Sequence, residues 1–129
     1  MTTTSEAVTR GIRVRVRARY SPQSSDPRAQ RWVFLYTITI VNESRDTVQL
    51  VSRHWIITDA NGEVEHVRGP GVVGKQPLLS PGESFEYTSG CPLETPFGSM
   101  RGSYEMTTNG EAFDVEIAGF ALRLPGTMQ

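Results

Sequence analysis

The sequence has a single cysteine, only two histidines and no long hydrophobic run. One cysteine, Cys91, excludes an internal disulfide and a zinc site built from cysteines. No segment approaches the roughly eighteen apolar residues of a membrane span, and residues 1–10 are polar, unlike a signal peptide. Thirteen basic residues offset fourteen acidic ones, so the net charge gives no attraction to nucleic acid or membranes. We therefore expect a cytoplasmic protein with no membrane insertion and no nucleic-acid partner.

The residue combinations typical of enzymes are absent as well. No Ser-His-Asp pattern and no closely paired carboxylates occur, and no histidine-bearing motif flanks Cys91. A cysteine in such surroundings is predicted to be a buried or half-buried, inert thiol. We predict that the chain is not an enzyme, has no catalytic residue and binds no cofactor.

Apolar and polar residues alternate with a period of two along most of the chain, and no window has the period of a helix. This pattern predicts strands over 12–20, 32–41, 48–58, 63–68, 84–89, 99–108 and 111–124. The apolar phase changes within the last strand, which indicates a bulge near Ala118-Gly119. The pairs Asn61-Gly62 and Asn109-Gly110 predict two-residue hairpin turns, and residues 91–98 form a proline-bearing loop.

These signals predict one all-β domain over residues 1–129. The fold is an antiparallel β-sandwich of the immunoglobulin or fibronectin type III kind, with about seven or eight strands. The ordered core covers about residues 11–124. Residues 1–10 and 125–129 are predicted to be loose termini.

The loop Gly69-Pro70-Gly71-Val72-Val73-Gly74-Lys75 matches two phosphate-binding patterns, but its surroundings suit neither. Pro77 disfavours the helix that both motifs need, and Gln76 replaces the hydroxyl that would hold Mg²⁺. One interpretation is a tight loop between strands that uses glycine for unusual backbone angles. The other is a nest of N–H groups that binds an anion without a helix. Its candidate residues are Arg68, Gly69, Gly71, Gly74 and Lys75.

Two further groups of residues are candidate sites. A two-residue turn after the third strand places His54 and His66 on opposite faces of the sheet, which argues against a shared metal ion. Arg13, Arg15, Arg17 and Arg19 project from one face of a strand. They form either a solvated face or a charged edge strand, or a docking stripe for an acidic partner or a phosphate backbone. Asp114 and Glu116 are candidate neighbours that would neutralise part of this stripe.

The motifs of the chain, taken in order, resemble those of the ApaG family, also called CorD. The matching motifs are YTITIVN (36–42), VQL (48–50), RHWIITD (53–59), VRGPGVVGKQP (67–77), PGE (81–83), FEYTSG (85–90), ETP (94–96) and GSMRGSY (98–104). The resemblance spans about residues 11–124. It implies a fold similar to fibronectin type III domains and a bacterial origin for a standalone chain.

For function, the resemblance implies a link to cobalt resistance and magnesium efflux. A pyrophosphate-binding role has been proposed for the family's glycine motif, which corresponds to residues 69–74. The domain also occurs in an F-box protein and in a DNA-polymerase-interacting protein, where it resembles a protein-interaction module. No catalytic residue is attributed to the family, so the resemblance implies none here.

Two hypotheses follow. The first is a non-catalytic interaction or regulatory module, linked to magnesium and cobalt homeostasis, that binds an unidentified protein partner. The alternative is a small anion receptor that binds pyrophosphate or a nucleotide polyphosphate through residues 68–75. The sequence does not predict an oligomeric state.

Overall fold

The computed structural model describes residues 2–126, which fold into nine strands and two single 3₁₀ turns, Pro22–Ser24 and Pro27–Ala29. The strands are β1 (Thr3–Thr9), β2 (Ile12–Tyr20), β3 (Trp32–Asn42), β4 (Val48–Asp59), β5 (Val64–Pro70), β6 (Leu78–Leu79), β7 (Ser84–Leu93), β8 (Gly98–Thr108) and β9 (Glu111–Leu122).

Two antiparallel sheets face each other. The first has the strand order β1-β2-β3-β7, and the second has the order β5-β4-β8-β9, with the short β6 beside the start of β4. The predicted all-β sandwich is confirmed. The described part of the chain contains nine strands, and the sequence pattern does not predict two of them, β1 and β6.

The core lies between the sheets and is supplied by alternate residues of the longest strands. In β3, Phe34, Ile38 and Ile40 are fully buried, which confirms the predicted inward face of this strand. Burial of each such side chain contributes roughly 1.5–3 kcal/mol. Inward residues of the neighbouring strands complete the core, including Ile12, Val14, Val16, Leu50, Trp55, Met100, Tyr104, Met106, Val115 and Ile117.

The prediction of a loose N-terminus is wrong for Thr3–Thr9, which forms β1 and pairs with β2. The inward positions of β1 carry hydroxyl groups or, at Ala7, a methyl group, rather than large apolar groups. Thr3 Oγ1 donates to the carbonyl of Ala121, and Ser5 Oγ donates to that of Ala118 at 2.8 Å. These bonds connect β1 to β9 and close one side of the sandwich. Residues 127–129 of the predicted C-terminal tail lie outside the described residues.

The two hairpins with Asn-Gly differ in the length of their turns. Asn109 and Gly110 both have positive φ, and the predicted two-residue turn between β8 and β9 is confirmed. Between β4 and β5 the prediction is wrong, because Asp59 N donates to Glu63 O at 3.0 Å across a three-residue loop. The Asp59 carboxylate accepts the Glu63 amide at 3.0 Å and stabilises this longer turn.

Two bulges and one proline modify the strands. The predicted bulge at Ala118-Gly119 is confirmed by the register shift of β9 against Met100 and Gly102. A second bulge lies between Leu50 and Ser52 in β4. β7 continues through Leu93, so the predicted loop over 91–98 begins later, because proline is tolerated on an edge strand.

Candidate functional site

The β4 bulge determines where Arg53 points. Leu50 and Arg53 are three residues apart, yet their partners in β8, Met106 and Tyr104, are only two apart. The extra residue, Val51, changes the phase of the strand. Arg53 therefore occupies an inward position, between the two sheets, where alternation from Leu50 would have directed it to solvent.

Backbone carbonyls at the start of the glycine loop bind the Arg53 guanidinium. Its Nη1 group donates to the carbonyl of Pro70 at 3.0 Å and to that of Gly71 at 2.9 Å. A Cβ atom at Gly69 would lie 3.0 Å from Nη2. Within residues 2–126, Arg53 forms no ion pair, and its Nε and Nη2 groups donate no hydrogen bond. Arg53 is therefore a half-buried cation without an anionic partner in the described part of the chain.

Three tyrosines lie near Arg53 between the sheets: Tyr36 and Tyr87 line the same cavity as Arg53, and Tyr104 is its strand partner in β8. Tyr87 and Tyr104 share a hydrogen bond between their buried hydroxyls. Burial raises the pKa of Tyr36, Tyr87 and Tyr104, and the positive charge of Arg53 lowers it in part. All three therefore stay neutral, and none supplies an anion for Arg53.

The glycine loop itself is a tight turn anchored in the core. Val73 and Gly74 have φ of +44° and +77°, and Val72 and Lys75 exchange two backbone hydrogen bonds of 2.8 and 2.9 Å. This is the pattern of a type I′ turn. The side chain of Val72 is only 1% exposed and fixes the loop against the core.

The five residues of the predicted anion site are divided between different surroundings. The amides of Gly71 and Lys75 donate to backbone carbonyls and are not free for an anion. Arg68 and Gly69 line a cavity of about 520 Å³ on the outer face of the second sheet, where Glu105 and Asp114 also lie. Gly74 lines a different cavity, between the sheets. The loop therefore does not bring these groups together as a nest.

The side of the sandwich opposite β1 and β9 is open. Neither β5 nor β7 has a strand partner on this side among the described residues. Three cavities of about 210, 300 and 280 Å³ follow one another along it and share lining residues. We call this continuous space the edge groove. Its main lining residues are Tyr36, Arg53, Trp55, Ile57, Glu65, Val67, Val73, Ser89, Cys91 and Pro92.

The edge groove has opposite charges at its two ends. Arg53 lies at the end next to the glycine loop, while Asp59, Glu63, Glu65 and Glu94 line the far end. Apolar surface from Trp55, Ile57 and Val67 separates the two ends. The groove can therefore hold a ligand that has apolar surface and charge of both signs.

Cys91 lies in the wall of the edge groove and is only 3% exposed. Burial, together with the negative charge of Glu65, raises the pKa of the Cys91 thiol to about 12. A thiol of this kind is not a nucleophile at neutral pH. The groove therefore has no activated cysteine.

The expectation that His54 and His66 lie on opposite faces is wrong. The three-residue turn pairs Ile56 with His66, and both histidines point outward. Their rings stack with centroids 5.1 Å apart, and His54 Nε2 lies 2.8 Å from His66 Nδ1. Burial lowers the pKa of His54, and the charges of Arg68, His66 and Arg101 lower it further. Within residues 2–126, no group of three or more His, Cys, Asp or Glu side chains is arranged to hold a metal ion.

The arginine row lies on the outer face of the first sheet, as predicted, and is largely neutralised. Arg13 pairs with Glu6 and Glu43, and Arg15 also pairs with Glu6. The neighbours expected from the sequence, Asp114 and Glu116, belong instead to β9 of the second sheet. Arg17 lies 3.8 Å from Glu86. The row is therefore a poor docking stripe for an acidic partner.

Arg53 is the residue that the sequence reasoning did not single out. Its signal is the change of apolar phase within β4, from Val48 and Leu50 to Trp55 and Ile57. Such a change requires an extra residue in between, and any polar residue after that point is redirected. The same reasoning that identified the bulge in β9 would have placed Arg53 between the sheets.

The fold and the groove define a small antiparallel β-sandwich domain that is open along one side. The ApaG domain family model matches residues 22–108, which include every lining residue of the edge groove. The chain belongs to the ApaG family. No helix in the described part of the chain is long and apolar enough to cross a membrane.

Individual proteins support this assignment over nearly the whole chain. Protein ApaG of Rhodospirillum centenum is 59% identical over 119 residues, which cover 92% of each chain. Protein ApaG of Mesorhizobium japonicum is 58% identical over 94% of each chain. A crystal structure of an ApaA protein from Bordetella pertussis has 56% identity and a TM-score of 0.86, covering 90% of this chain and 95% of that one. None of these names states an enzymatic activity.

Proposed function

We propose that this chain is a non-catalytic interaction module that holds a segment of another protein in the edge groove. The observation that carries the proposal is Arg53, a half-buried guanidinium without a carboxylate partner among the described residues. Keeping an unpaired cation between two sheets is costly unless a ligand supplies the countercharge. The apolar surface beside it from Trp55 and Val67 gives that ligand something to bury.

The anion-receptor alternative has less support. A loop that binds pyrophosphate needs several free N–H groups directed at one point. Here the amides of Gly71, Val72 and Lys75 donate to backbone carbonyls. Arg68 lies in a cavity that also contains Glu105 and Asp114, whose negative charges would repel phosphate.

Photo-crosslinking in the native cells tests the interaction module. A photoreactive amino acid replaces Val73, which lines the groove and is 53% exposed, or Val8 on β1, which is 49% exposed and serves as the matched control. We expect a discrete adduct with another protein from position 73 only, and its loss when Arg53→Gln is introduced. Adducts from position 8 alone would contradict the proposal. So would an adduct from position 73 whose yield does not change when Arg53→Gln is introduced.

We further propose, from the family resemblance, that this interaction acts in magnesium and cobalt homeostasis. The absence of a metal-ligand cluster within residues 2–126 favours an indirect role, exerted through the bound partner. Native cells that carry Arg53→Gln should show altered tolerance to cobalt, as a deletion of the gene would. Wild-type tolerance in the Arg53→Gln cells and altered tolerance in the deletion strain would separate the groove from the cation phenotype.

A further inference from the structure

The charges of the edge groove restrict what kind of segment fits it, an inference that rests on the function proposed above. We infer that the bound segment is an extended peptide with one acidic and one basic side chain four residues apart. An apolar side chain lies midway between them. The acidic side chain pairs with Arg53, and the basic one pairs with Glu65.

The spacing comes from the register of β4 and β5. Arg53 is paired with Gly69, and Ile57 is paired with Glu65, so the two charged positions are separated by four residues of strand. At about 3.4 Å per residue, this corresponds to roughly 14 Å. An extended peptide running along the same direction places residues i and i+4 beside the strand positions of Arg53 and Glu65. Because its side chains alternate, residue i+2 faces the groove as well.

The middle of the groove suits an apolar side chain. Trp55 is paired with Val67, midway between the two charged positions. Both side chains line the central cavity of about 300 Å³, together with Cys91 and Met100. Arg53 and Glu65 also line this cavity, one register step of two residues to either side of the Trp55–Val67 pair.

Two observations place Glu65 as the opposite end of the site. It lines both the central cavity and the far cavity, and its side chain is exposed to the groove. Its charge raises the pKa of Cys91 on β7, so the carboxylate acts across the groove. Glu63 and Glu94 lie in the same far cavity and strengthen its negative potential.

A display library of random twelve-residue peptides is the probe that tests this inference. Peptides selected on the wild-type chain are expected to carry opposite charges at i and i+4 with an apolar residue at i+2. The charge-swap variant Glu65→Lys is expected to select an acidic residue in place of the basic one. It should also bind the wild-type peptides about tenfold more weakly. Glu116→Lys, on the outer face of β9, makes the same change of net charge and should leave the selection unaltered.

Two variants distinguish failure of this inference from failure of the proposed function. Arg53→Gln removes the cation but also two hydrogen bonds within the fold. Ser89→Glu instead retains Arg53 and places a carboxylate beside it in the groove. The selected peptides could lose binding to both variants but lack opposite charges at i and i+4, or Glu65→Lys could select the same peptides as the wild-type chain. Either result overturns the inferred charge pattern and leaves the edge groove as the binding site. If no selected peptide depends on Arg53 or Ser89, the groove itself is not the binding site.

Discussion

The carbonyl oxygen of Gly71 accepts a hydrogen bond of 2.9 Å from Nη1 of Arg53. Through this contact and the one to Pro70, the glycine motif binds a guanidinium of its own fold. The loop offers carbonyl oxygens to a cation, whereas a phosphate loop offers N–H groups to an anion. The motif therefore holds Arg53 in the edge groove with its Nε and Nη2 groups available to a ligand.

Gly69→Ala is expected to move Arg53 without unfolding the protein. The added Cβ would lie 3.0 Å from Arg53 Nη2, which is the far end of a flexible side chain. We expect a loss of stability below about 1 kcal/mol and a clear shift of the Arg53 Nε–Hε resonance in NMR spectra. An unchanged Arg53 resonance would show that the glycine does not position the guanidinium.

Gly71→Ala is expected to destabilise the fold far more than Gly74→Ala. Both glycines have positive φ, but only a Cβ at Gly71 meets backbone, 2.2 Å from the carbonyl oxygen of Lys75. Gly74→Ala has open space and should cost about 1 kcal/mol, while Gly71→Ala should cost about 3 kcal/mol or more. Denaturant unfolding of the two variants measures the difference. Equal losses would mean that the loop moves freely to relieve the clash.

The buried hydroxyl pair of Tyr87 and Tyr104 is expected to be strongly coupled. Removing one hydroxyl leaves the other buried without its partner, so each single change to Phe should cost about 1–3 kcal/mol. The double variant should cost clearly less than the sum of the two single changes. A double-mutant cycle from urea unfolding gives the coupling free energy, and simple additivity would show that the hydroxyls do not interact.

Cys91 is expected to resist alkylation in the folded protein. With its pKa raised to about 12, only about one thiol in 10⁴ is ionised near pH 8. Iodoacetamide should therefore label Cys91 at least about 10³-fold more slowly in the native chain than in denaturant. Mass spectrometry of timed samples measures both rates. Fast labelling of the native chain would mean that this wall of the groove opens to solvent.

Stability is expected to fall at mildly acidic pH through His54. Burial lowers the pKa of His54 below its ordinary value of 6.5, and the charges of Arg68, His66 and Arg101 lower it further, while Asp114 opposes them. The folded chain thus binds the proton less tightly than the unfolded chain. The free energy of unfolding keeps its full value above pH 6.5 and decreases as the pH falls below it. His54→Gln should make the free energy of unfolding less dependent on pH in this range. The same pH dependence in the variant and the wild-type chain would contradict a role for His54.

Much of the sandwich follows from alternation in the sequence. Strands such as Ile12–Tyr20 and Trp32–Asn42 have one face buried, so their apolar pattern predicts both their existence and their inward residues. Strand Thr3–Thr9 could not be found in this way. Its inward hydroxyls are stabilised by hydrogen bonds to β9, more than 100 residues away in the sequence.

The site was less predictable because it depends on turn length and on distant edges. Asp59 sets the three-residue turn through its carboxylate, a contact that the Asn-Gly signal does not reveal. The bulge at Val51 turns Arg53 inward. The groove forms only because β5 and β7 are edge strands of different sheets, which is a property of topology rather than of local sequence.

NMR titration of the ¹⁵N-labelled chain with the tightest wild-type-selected peptide tests the central claim most directly. We expect saturable shifts of the Arg53 Nε–Hε resonance and of the amides of Val67, Ser89 and Cys91, with no change at His54 or elsewhere on the outer face. Saturable shifts confined to the outer face, with the groove resonances unchanged, would contradict the account.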